Sequence, residues 1–131
     1  MIDSPAVAFA LQLSRQEMAM SANPITGHSL RWKFNDGPMA GKSFDHTFSR
    51  NGNVAFREVS GDANAKPGSA GRYEVAVVGQ DVYAVSYLSS SGYTLTVILD
   101  YRTLKLVAFA SNDTSLTMQQ GTFEPLGSAP R

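Results

Sequence analysis

The residues that could do chemistry in this chain are few, and most of them alternate with apolar ones. His46 lies between Phe44 and Phe48, so in an extended strand it shares their face. An imidazole there is either a packed, hydrogen-bonded core group or a ligand contact and proton handler. Arg57 shares a side with Ala55 and Val59. Facing inward, its guanidinium would need a carboxylate of the protein or an anionic ligand; facing outward, it would need only water. Glu74 and Arg72 are two apart on one side. They form either a solvated pair or, if inward, a partner for Arg57 and an acid–base group. Tyr83 and Tyr87 also alternate and offer either hydroxyls to a ligand or aromatic packing at a subunit surface.

Stronger catalytic signatures are missing. The chain has no cysteine, hence no disulfide framework, thiol nucleophile or thiolate metal site. Its two histidines, His28 and His46, have no carboxylate cluster beside them and match no metal-ligand spacing. There is no glycine-rich phosphate loop and no serine in a nucleophile-elbow context. No metal or cofactor is expected. Lysine plus arginine equals aspartate plus glutamate at 11 each. Scattered, balanced charge gives no footprint for nucleic acid or an anionic membrane. No run approaches the ~20 apolar residues needed to cross a bilayer.

The elements that must position these side chains are strands. At 131 residues the chain is one domain with room for a real core. From Gly27 to Pro125 it reads as short strands joined by Gly, Asn, Asp and Ser turns. The first, about His28 to Phe34, sets His28, Leu30, Trp32 and Phe34 against Ser29, Arg31 and Lys33. The others fall near 42–50, 53–59, 72–78, 82–88, 93–100, 104–111 and 114–123. Asn51-Gly52 suits a type I′ hairpin, because both residues tolerate positive φ. Eight antiparallel strands manage their edges most simply by closing into an up-and-down barrel, wide enough inside for side chains or one small ligand.

Outside the strands, residues 1–24 read as a short helical extension that begins at Ser4-Pro5 and carries Val7, Leu11 and Met18. No Lys or Arg precedes its apolar run, so it does not read as a secretory signal, and a cytoplasmic setting is expected. Residues 25–125 form the barrel domain and 126–131 a frayed tail. The loop from Gly61 to Gly71 either gates a cavity or simply connects. Strands four to seven are apolar on both faces, which calls for cover by the N-terminal helix or by a second subunit; a homodimer is expected.

The stretch Gly27-His28-Ser29-Leu30-Arg31-Trp32-Lys33-Phe34-Asn35-Asp36-Gly37, then Asn53 through Arg57, resembles the opening of the calycin-like, or lipocalin-like, barrels. More narrowly it is similar to the group of MoaF-like proteins and phenolic acid decarboxylases. Val82-Tyr83-Ala84-Val85-Ser86-Tyr87 and the run Thr94 to Leu104 with Asp100 match later strands of that group. The resemblance covers roughly residues 27 to 110. It implies a barrel with a central cavity, an arginine at Arg57 and a glutamate near Arg72, with Glu74 one same-face step away. Trp32 and Phe34 stand where the decarboxylases carry a tyrosine pair. Without those hydroxyls, carboxylate capture and proton transfer by that mechanism are not expected.

The leading expectation is therefore a barrel that binds a small apolar or aromatic ligand, neutral or anionic. Trp32, Phe34, Phe44 and Phe48 would line the pocket, and His46, Arg57, Glu74, Tyr83 and Tyr87 would orient the ligand. The alternative is a lyase or isomerase acting on an aromatic acid through Arg57, Glu74 and His46. A third reading is an interaction module that works through an outer apolar face.

Overall fold

The computed structural model describes residues 23–61 and 68–128, with the backbone alone at 69 and 70. These residues form eight strands and no helix: β1 (His28–Phe34), β2 (Ser43–Phe48), β3 (Asn53–Glu58), β4 (Gly68–Gly79), β5 (Val82–Leu88), β6 (Thr94–Asp100), β7 (Lys105–Ser111) and β8 (Leu116–Ser128). Each strand pairs antiparallel with the next, and β8 returns to β1, so the ring closes as an up-and-down barrel. Of the expected helical extension over 1–24, residues 1–22 lie outside the described ones, as do the centre of the 61–71 loop and the last three residues.

Two strands are longer than the sequence pattern suggests. β4 begins at Gly68, and its first residues pair with β3 across a register shift at Val54/Ala55. β8 runs to Ser128, where the expected tail instead pairs with His28 and Ser29. Extra backbone pairing satisfies donors and acceptors that apolar patterning does not reveal. The Asn51-Gly52 turn also differs: only Gly52 has positive φ (+94°). The Gly52 N–H donates to the Ser49 carbonyl at 3.1 Å, and Asn51 Oδ1 accepts from the Asn53 N–H. The asparagine side chain thus stabilises the turn without taking a left-handed backbone itself.

Period-two alternation and strand register together settle which side chains go inside. Leu30, Trp32 and Phe34 of β1 face inward, opposite Phe44, His46 and Phe48 of β2. Val54, Tyr73, Val85, Tyr87, Val97, Leu99, Leu106, Ala108 and Phe123 are also buried. Ile25 closes one end, fully buried. Asn23 holds it there by accepting the Ile25 and Thr26 N–H groups at 2.8 and 2.7 Å. Barrel closure depends on Gly121, which lies against Phe34 of β1; a Cβ there would collide with the Lys33 carbonyl.

Candidate functional site

The barrel interior is not filled evenly. Toward the end closed by Ile25, Leu30, Phe48, Val54 and Leu99 are all at most 1% exposed. Tyr101 stacks edge-on against Phe123 and Tyr83 there, with centroids 4.9 and 5.7 Å apart. At the other end is an apolar cavity of about 270 Å³. Its rim comes from the β1–β2 loop (Pro38, Met39) and the β5–β6 turn (Ser89, Ser91, Tyr93). The space exists because β7 and β8 supply small or polar inward residues at this level. Leu106 gives way to Ala108 and Ala110, and Phe123 and Gly121 give way to Gln119 and Thr117.

A ring stack forms the inner wall. Trp32 lies nearly parallel to His46, centroids 3.7 Å apart, and His46 faces Phe48 and Phe56 at 5.8 Å each. His46 Nε2 and the Tyr87 hydroxyl are 2.7 Å apart, both buried. Burial pushes the His46 pKa down to about 3, against smaller opposing effects of the Phe44 carbonyl and the Asp45 carboxylate. That carbonyl influences the ring without forming a hydrogen bond to Nδ1, which has no hydrogen-bond partner; nor has Trp32 Nε1. Burial also raises the Tyr87 pKa. Near neutral pH the pair is an uncharged imidazole bonded to an intact phenol. It holds the wall together and carries no charge to a ligand.

Gln119 is the polar residue that sequence reading missed. It is 5% exposed and lines the cavity. Its Oε1 accepts the Met39 N–H at 2.8 Å, tying the β1–β2 loop across the mouth. The clue in the sequence was a glutamine in alternation with Gly121 and Phe123, on the face that β8 turns inward.

The expected site residues divide into three groups. Trp32, Phe34, Phe44, His46 and Tyr87 meet around the cavity. Phe48 and Tyr83 face inward but do not line it: Phe48 packs beneath the stack against Tyr73, and Tyr83 packs on Tyr101. Arg57 and Glu74 correct the expectation, because both are exposed on the outside. Arg57 pairs in register with Asp45, whose inward neighbours are Phe44 and His46, so the same alternation that puts those rings inside sends Arg57 outward. Glu74 lies 3.5 Å from Arg72 as a solvated ion pair. Among the described residues no group of three or more His, Asp or Glu side chains could hold a metal ion.

A crystal structure described as that of a putative beta-lactamase from Burkholderia vietnamiensis superposes with a TM-score of 0.65 at 14% identity. The match covers 79% of this chain and 96% of that one. The likeness is one of fold. No family model matches the sequence, and no curated protein matches it. Among the described residues, no helix is long and apolar enough to cross a membrane.

Proposed function

We propose that this protein is a calycin-like barrel that binds a compact apolar or aromatic molecule in its open half. The observation that carries the reading is the cavity itself: about 270 Å³, walled by Trp32, Phe34, Phe44, Tyr87 and Leu95 and open at one end. An apolar hollow of that size in an otherwise close-packed interior is what a small-ligand site requires. The MoaF-like branch is the one whose motif order the sequence resembles, and that narrower placement rests on motif order alone. Thermal-shift screening against small aromatic compounds tests the reading, with Ala110→Phe as the control that fills the hollow. Stabilisation of the parent and none of the variant is expected. Equal shifts for both would place the ligand elsewhere.

The structure gives less support to a lyase or isomerase acting on an aromatic acid. Arg57 and Glu74, its carboxylate receptor and proton donor, lie outside the barrel, and His46 near neutral pH is a neutral imidazole rather than an imidazolium acid. The fold neighbour is described as a putative beta-lactamase; the Ser-x-x-Lys motif of class A serine beta-lactamases is absent from this sequence.

A second reading concerns the outer surface. Phe109 and Met118 are register neighbours on the outside of β7 and β8, 38% and 53% exposed, with Leu116 at 74% nearby. Ala76, Ala84, Ile98 and Val107 continue an apolar row across β4 to β7. Such a patch favours association of two copies. Sedimentation velocity over a range of concentrations should then show a dimer that Met118→Lys disperses; a monomer at every concentration would end this reading.

A further inference from the structure

Building on the cavity-binding reading, we infer that the ligand is an uncharged ring compound carrying a hydrogen-bond acceptor, which the Gln119 side-chain amide receives. Three observations converge on it.

The first is the absence of charge. Every residue lining the cavity is apolar, aromatic or an uncharged polar residue, and His46 is held neutral by burial. A carboxylate or ammonium group entering this space would leave water without meeting a counter-charge, which is costly. The described cations on the neighbouring strand positions, Arg31, Lys33 and Arg57, lie on the outer face: Lys33 is exposed, and Arg31 binds Asp45 through two nitrogens at 2.7 and 3.0 Å.

The second is the orientation of Gln119. Because Oε1 accepts the Met39 N–H, the amide oxygen and nitrogen are distinguished by the hydrogen bond itself. Nε2 is left as a two-proton donor with no hydrogen bond inside the barrel. Water can reach that donor in the cavity, so a molecule that displaces the water must supply an acceptor or leave the donor unmet, and the site discriminates in favour of one that does. The anchored β1–β2 loop fixes where that donor sits.

The third is shape. The wall formed by β1 and β2 is built of rings, with Phe34 edge-on to Phe44 at 6.0 Å and Trp32 stacked on His46. Ala108 and Ala110 leave room beside them. Flat rings pack against such a wall with little entropic loss. A ketone, lactone or similar ring carbonyl fits all three conditions.

A matched set tests this by calorimetric titration of the intact chain: indane, indanone and indane carboxylate. Indanone should bind about threefold to tenfold more tightly than indane, the worth of one hydrogen bond, and the carboxylate should bind more weakly than both. In Gln119→Met the indanone-to-indane ratio should fall to about one. Thr117→Val should leave that ratio as it is in the parent. Equal binding of indane and indanone by the parent, or tightest binding of the carboxylate, would overturn this inference while leaving a binding cavity in place. Loss of the ratio in Thr117→Val but not in Gln119→Met would overturn the assignment to Gln119. No binding by any of the three would overturn the cavity reading and this inference together.

Discussion

The two halves of the barrel are built from the same eight strands, yet one is filled and the other hollow. In the filled half, Phe48, Leu30, Leu99 and Leu106 interdigitate beneath the Trp32–His46 stack, each at most 1% exposed. In the open half, β1 and β2 still contribute Phe34 and Phe44, but the facing strands answer with Ala108, Ala110, Thr117 and Gln119. Backbone closure is therefore indifferent to what fills the middle. Side-chain volume on two strands, β7 and β8, decides whether the interior is a core or a site.

The sharpest way to break this comparison is to truncate one ring in each half. Phe48→Ala should cost about 3–5 kcal/mol in urea unfolding, whereas Phe44→Ala beside the existing hollow should cost roughly 1–2 kcal/mol. Similar losses would mean that the two halves are packed alike.

The next largest effect lies at the boundary, on His46. Unfolded histidine titrates near 6.5, and in the fold His46 titrates at about 3. Between those values the unfolded chain holds the extra proton. His46 therefore leaves stability intact above about pH 6.5, and stability falls as pH drops toward 3. Going from pH 7.5 to 5 should cost the parent roughly 2 kcal/mol more than His46→Phe, measured by denaturant titration at each pH. Parallel losses in the two proteins would show that His46 is not the group responsible.

A smaller stability change with a large functional one is expected for Ala110→Leu. Filling the hollow should shift unfolding by no more than about 1 kcal/mol in either direction while removing aromatic ligand binding. Retained binding would show that the cavity is not the site. Smallest of all, Arg57→Ala and Glu74→Gln should leave ligand affinity within about twofold of the parent, since both side chains lie on the outer face and line no part of the cavity. A tenfold loss from either would bring the outer face into the site.

Much of the fold was legible in the sequence. Period-two alternation marks Leu30-Trp32-Phe34 and Phe44-His46-Phe48 as one face each, and turn residues separate eight strands. The same alternation gives Arg57 a definite side, but it does not say which side is inside. Val54 and Phe56 compete with Ala55 and Val59 for the interior, and only the pairing of β3 with β2 decides. The cavity was harder to see because it is made by what is missing. Alanines at 108 and 110 read as apolar positions in a pattern, and their small volume matters only once β7 stands opposite the rings of β1 and β2. Gln119 likewise gains its role from Met39, eighty residues away in the chain.

The Trp32–His46 stack has a practical consequence. Trp32 is the chain's only tryptophan, and it stands where the packed and hollow halves meet. Its emission is thus a single-site optical signal, shielded from water and in van der Waals contact with an imidazole that quenches when protonated. Any occupant of the hollow, or any proton reaching His46, would be read by this one fluorophore without a label.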